Sequence, residues 1–102
     1  MDINYLRELY NSGSIKWSVH CLERMQERDI TIDDIGCCIN NGEIIEEYPN
    51  DYPHPSCLIL GININGNYLH VVAGSDGKIL FIISAYYPSL QKFEADYRTR
   101  RS

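Results

Sequence analysis

The change of residue type at Gly42 most restricts what this chain can fold into. Before it, apolar residues recur at helical spacing; after it, β-branched and aromatic residues gather into short runs divided by turn residues. Helices followed by strands define the α+β class, with N-terminal helices packed on an antiparallel sheet of about four strands.

Three helices are expected before Gly42. Residues 2–12 place Ile3, Leu6, Leu9 and Tyr10 on one side, with Gly13 positioned as a C-terminal cap. Ser18 can cap a second helix to about Arg28, with Val19, Cys21, Leu22 and Met25 on its apolar side. Thr31, with an acidic residue three positions on, opens a third through Ile35 and Ile39 to Asn40.

Strands are expected over residues 43–48, 57–64, 67–73 and 78–87. Asn65 followed by Gly66 is a two-residue hairpin signal, and Ser75, Asp76 and Gly77 mark the next turn, so the last three strands should form a meander. Residues 49–55 hold three prolines, which lack the donors a central strand needs, and are expected to form a stiff loop. Residues 89–98 are expected to form a short C-terminal helix, and residues 100–102 a frayed end.

At 102 residues, with 44% hydrophobic content, the chain suits one domain with one core. No apolar run approaches the roughly 20 residues of a membrane span, and residues 1–4 lack the character of a signal peptide, which points to the cytoplasm. Cys21, Cys37, Cys38 and Cys57 have no spacing that completes a zinc site, and free thiols packed as small hydrophobes are expected. The net charge of −5 opposes phosphate binding by the molecule as a whole. Its distribution is uneven, however. Residues 23–51 carry nine acidic side chains against two basic ones, whereas residues 77–102 carry five basic against two acidic.

Several residues could carry chemistry. His20, Arg24 and Arg28 recur every fourth position on the second helix, where they form either a solvated face balanced by Glu23 and Glu27 or an anion site with an imidazole to move a proton. His70 lies mid-strand and is either a core histidine bonded to a neighbour or, if it points to an open sheet face beside Ser84 or Tyr86, a second acid/base group. Tyr48, Tyr52 and His54 border the proline loop, where rings can stack on unpaired bases or lie as a lid over the core. Lys92 and Arg98 supply C-terminal positive charge for RNA contact. The chain has no Gly-rich phosphate loop, nucleophile elbow or metal-binding histidine pair. The chemistry expected is therefore metal-free and cofactor-free, with proton transfer and cationic stabilisation acting on a substrate that supplies its own 2′-hydroxyl.

His20, Arg24, Met25, Glu27, Arg28 and Ile30, then the run from Gly42 through Tyr48 and Pro49, then Leu69, His70, Val71 and Val72, and finally Ala85, Tyr86, Tyr87 and Pro88, resemble a bacterial domain family of unknown function. That family in turn resembles BrnT and RelE-type toxins, with MqsR similar in context. The resemblance implies an RNA-cleaving helix-and-sheet domain, countered by a small antitoxin that can carry a YgiT-type zinc finger. Ile83, Ser84 and Ala85, with Glu94 and Tyr97 beyond, are similar to the end of BrnT, although Tyr86 stands where BrnT-like sequences tend to have Arg. The first reading is thus a toxin-type endoribonuclease with His20 as acid or base, Arg24 and Arg28 stabilising phosphorane charge, and His70 and Tyr86 behind them. The competing reading is a non-enzymatic protein-binding or regulatory module of the same fold, and homodimerisation stays open under either. Clustering of His20, Arg24, Arg28 and Tyr86 in one cleft would separate the two.

Overall fold

Each helix begins at a polar side chain that takes up a backbone donor of the first turn, which would otherwise have no partner. Asp2 caps α1 (Ile3–Asn11), and Ser18 caps α2 (Val19–Glu27) by accepting from Cys21 N at 3.0 Å. Thr31 caps α3 (Ile32–Asn41) in a reciprocal box, its hydroxyl accepting from Asp34 N at 3.1 Å while Asp34 Oδ2 accepts from Thr31 N at 2.9 Å. Asp34 does more than cap. Its Oδ1 accepts from Ile64 N at 3.1 Å and ties the start of α3 to a sheet turn. The computed structural model describes residues 1–101; Ser102, last of the expected frayed end, lies outside them.

The sheet has five strands in the order β1-β5-β4-β3-β2, formed by β1 (Ile15–Trp17), β2 (Glu43–Tyr48), β3 (Ser56–Ile62), β4 (Tyr68–Ser75) and β5 (Leu80–Tyr86). The expected meander is present, with β2 to β5 antiparallel in chain order. The sheet is mixed, because β1 lies parallel to β5, Ile15 opposite Leu80 and Trp17 opposite Ile82. Three residues are too few to show alternation, and a partner so remote leaves no turn signal, so β1 has no signature in the sequence. The first hairpin is wider than a two-residue turn. Its last pair is Ile62 with Tyr68, and Asn63 closes the loop by accepting at Oδ1 from Asn65 N and Asn67 N, both at 2.9 Å, with Gly66 at φ 81°.

All three helices cover one sheet face. Leu6, Leu9, Cys21, Met25, Ile35, Cys38 and Ile39 meet Cys57, Ile59, Leu69, Val71, Ala73, Leu80, Ile82 and Ala85 there. The four cysteines are free, and three of them are buried. Burial on α2 departs from the expected stripe. Cys21 and Met25 are buried, but Val19 is 71% exposed and Leu22 39%. A bulge between β4 and β5 shifts the register at Val72 and Ala73, which returns Ala85 to the core after Ile82 and leaves Tyr86 opposite His70.

The other face is covered by residues 89–101, which are not helical. One turn forms at Ser89, whose carbonyl accepts from Lys92 N and Phe93 N, and the chain then folds back with Phe93 bridged to Arg100. The expected C-terminal helix fails because Asp96 draws off its donors: the carboxylate accepts from Arg98 N and Thr99 N at 2.9 Å and from the Thr99 hydroxyl. Tyr97 adopts φ 55°, a left-handed conformation that ends any helix. Phe93, 2% exposed, anchors the segment against His70, so β4 is buried on both sides.

Candidate functional site

His70 stands at the centre of that outer face and is 0% exposed. Its ring meets Phe93 edge-on at 4.6 Å and Tyr86 at 5.3 Å between centroids. Nε2 lies 2.8 Å from the Tyr97 carbonyl oxygen, which can only accept, so the proton of the neutral ring belongs on Nε2. Nδ1 is then a lone pair, and the Tyr86 hydroxyl, 3.4 Å away, donates towards it. Burial pushes the His70 pKa down, against the opposing pull of the Tyr97 carbonyl and Glu46, and burial pushes the Tyr86 phenol up. Both groups are therefore neutral near pH 7.

Beside this pair opens a cavity of about 330 Å³ lined by Arg28, Tyr86, Tyr87, Ser89, Lys92, Phe93 and Arg100. Three of those side chains are cationic. Arg28 reaches it from α2 and donates from Nη1 to the Ala85 carbonyl at 2.8 Å, leaving its other donors available. Arg100 lies over the Phe93 ring at 4.8 Å and makes a two-point ion pair with Glu46, at 2.7 and 3.0 Å. Burial raises Glu46, but the Arg100 and Tyr48 bonds outweigh it and hold the carboxyl below its usual value; Arg100 is held more firmly protonated in return. Lys92 has no carboxylate partner among the described residues.

The helical row of His20, Arg24 and Arg28 does not act as one unit. Four residues turn a helix by about 40° beyond a full circle, so the row drifts around α2 towards its buried side. His20 stays exposed, Arg24 pairs with Glu27 at 3.1 Å, and only Arg28 arrives at the sheet. The structure thus joins Arg28, Tyr86 and Lys92 in one cavity with His70 behind it and leaves His20 and Arg24 outside its lining, so the four-residue cluster expected of the enzymatic reading is not formed and only its Arg28 and Tyr86 meet.

The remaining candidates are dispersed. Tyr48 bonds the Glu46 carboxylate, and Arg98 pairs with Glu43. Tyr52 is 91% exposed in the proline loop, beside His54 stacked on Phe81 at 5.1 Å. Sequence reasoning passed over Arg100, read as a frayed end, and Phe93 and Tyr97, read as helical. Phe93 carried a signal all the same: it is the one phenylalanine in a mostly polar tail.

A five-stranded mixed sheet with helices on one face, and a C-terminal segment closing a cationic cavity on the other, define a small α+β domain. The chain belongs to the DUF4258 family, described as a domain of unknown function, whose model matches residues 17–87. The match runs from the end of β1 through β5 and includes Arg28, His70 and Tyr86, while Lys92 and Arg100 lie beyond it. No curated protein and no solved structure matches the chain. Among the described residues, no helix is long and apolar enough to cross a membrane.

Proposed function

We propose that this protein is an endoribonuclease of the toxin type, acting at the cavity of Arg28, Tyr86, Lys92 and Arg100, and held in check by a small antitoxin. The observation that carries this reading is the meeting of three cations around a phenol that is hydrogen-bonded to a buried histidine of fixed tautomer. The substrate's 2′-oxygen attacks the adjacent phosphorus and the bond to the 5′-oxygen breaks, leaving a 2′,3′-cyclic phosphate and a 5′-hydroxyl. The 2′-hydroxyl proton passes to the Tyr86 oxygen as the Tyr86 proton passes to His70 Nδ1. Lys92 protonates the departing oxygen, and Arg28 and Arg100 balance the charge that grows on the phosphorane.

Cleavage of a mixed-sequence RNA by purified protein tests the reading. Tyr86→Phe is expected to lose about 10²–10⁴-fold in rate, the usual range for one proton-transfer group. Arg28→Ala loses about 10²–10³-fold, whereas His20→Ala cleaves at nearly the wild-type rate. Wild-type protein that leaves RNA intact, and whose induced expression in a bacterial host changes neither growth nor RNA integrity, would defeat the proposal.

A second reading has its own support. An apolar cleft of about 240 Å³ runs between Tyr52, Pro53, His54, Phe81 and Ile83, away from the cationic cavity. A non-enzymatic module would dock a protein partner at that cleft. Copurification with a partner that Phe81→Asp abolishes, from a protein without effect on RNA, favours it.

A further inference from the structure

Tyr87 borders more than the cationic cavity. That ring also lines a second cleft of about 430 Å³, shared with Gly66, Asn67, Tyr68, Pro88 and Tyr97. We infer that this second cleft is a stacking subsite for an unpaired base next to the phosphate held in the cationic cavity, which makes the substrate single-stranded RNA. The inference rests on the ribonuclease reading for the phosphate site and adds the class of substrate.

Three features of the cleft carry it. Two of its three rings are open, with Tyr68 49% exposed and Tyr87 40%, and Tyr97 is half-buried beside them; in the neighbouring cavity Tyr86 is half-buried and Phe93 buried. The rings are also held in place before any ligand arrives. Tyr87 accepts from Asn63 Nδ2 and donates to the Asp29 carbonyl, both at 3.3 Å, while Tyr68 and Tyr97 lean together with centroids 5.2 Å apart. Tyr97 takes its left-handed backbone with its carbonyl on His70 Nε2 and its amide on the Glu94 carbonyl at 2.9 Å. Rings that are already ordered lose little freedom when a base stacks on them. Thirdly, Asn67 borders the cleft with a carboxamide that makes no hydrogen bond among the described residues, offering a donor and an acceptor to a base edge.

Charge decides between this occupant and an apolar peptide. The cleft shares the Tyr87 ring with a cavity where Lys92 and Arg28 have donors to spare, so a ligand that reaches across that ring to fill both must pair a flat apolar group with an anion, as a nucleotide does. A base inside a duplex is stacked on its neighbours and cannot enter.

A fluorescently labelled, fully 2′-O-methylated oligonucleotide, which has no free 2′-hydroxyl and cannot be cleaved, separates binding from chemistry. Anisotropy is expected to show the single strand binding at least about tenfold more tightly than the same sequence as a duplex. Tyr68→Ala should weaken single-strand binding by roughly 5–150-fold, the worth of one stacked base, and Tyr68→Trp should restore it. Circular dichroism confirms that both variants are folded, as the half-exposed position favours. Lys92→Ala weakens strand and duplex alike. Equal affinity of wild type and Tyr68→Ala, with Lys92→Ala still impaired, overturns the stacking subsite and spares the cationic cavity. Tyr68-dependent binding by a protein that does not cleave natural RNA supports the subsite and defeats the ribonuclease instead. No measurable binding to the oligonucleotide overturns the inference outright.

Discussion

His70 shows how one residue can serve both stability and chemistry, and its titration gives a test. Burial holds its folded-state pKa below the ordinary histidine value, so the unfolded chain binds the proton more readily. The stability this contributes is complete above about pH 6.5 and is lost as pH falls towards the folded-state pKa, at up to about 1.4 kcal/mol per pH unit. Urea unfolding at a series of pH values should show that slope in wild type, and a shallower one below about pH 6.5 in His70→Gln. Asp34 carries the same sign from a different cause. Burial alone would raise its carboxyl, but hydrogen bonds from Thr31 and Ile64 outweigh it and leave the pKa lowered, so its contribution persists until strongly acid pH. Asp34→Ala should cost about 1–3 kcal/mol, because it leaves Thr31 N and Ile64 N without their partner. The sequence revealed the cap at Asp34 but not its second bond, since capping is local whereas Ile64 is brought there by the fold. For His70, residue order showed an apolar run with no alternation. That pattern is now explained by helices on one face and Phe93 on the other.

Among the elements, those with local signatures were legible and those made by distant contacts were not. Caps at Ser18 and Thr31 and the turn residues at Asn65 and Gly66 placed α2, α3 and the β3–β4 hairpin close to where they lie. β1 and the C-terminal segment lacked such signatures. The first is stabilised by β5, and the second by a single buried ring and by Asp96, which competes for helix donors. The same weighing predicts which contacts hold the tail down. Phe93→Ala should cost about 3–5 kcal/mol and make residues 89–101 sensitive to limited proteolysis. Arg98→Ala, which removes an ion pair with both side chains about half exposed, should change stability by less than about 1 kcal/mol. α3 meets β3 at close range through Gly61, where an added Cβ would stand 2.5 Å from the Cys38 carbonyl oxygen and 2.8 Å from its sulfur. Gly61→Ala should therefore destabilise by about 1–3 kcal/mol as the helix is pushed off the sheet, which thermal unfolding would register. The candidate site was half legible for a related reason. Arg28, His70, Tyr86 and Lys92 were singled out by type and position, but only the path of the tail determines which of them meet.

At the scale of the whole molecule, uneven charge becomes a division of surface. The acidic stretch supplies β2, whose Glu43 and Glu46 are answered by Arg98 and Arg100 of the tail, while Lys92 and Arg28 remain for an anion despite a net charge of −5. Binding of polyanions should accordingly weaken with added salt only along a modest slope of log affinity against log salt, because few phosphates are met. The placement of β1 has a consequence of another kind. Ile15 waits for Leu80, so the β1–β5 contact closes about two-thirds of the chain into a loop, whereas β3 and β4 need only a short turn between them. The folding nucleus should thus form in the β3–β4–β5 meander, with β1 joining after the rate-limiting barrier has been crossed. In stopped-flow chevrons, Val71→Ala should mainly slow folding, while Ile15→Ala should leave the folding rate nearly unchanged and speed unfolding. A slower refolding limb for Ile15→Ala would place the closing strand in the nucleus. If it joins late, it is also the first strand to leave, and its departure bares the longer edge of β5 to pairing with another chain.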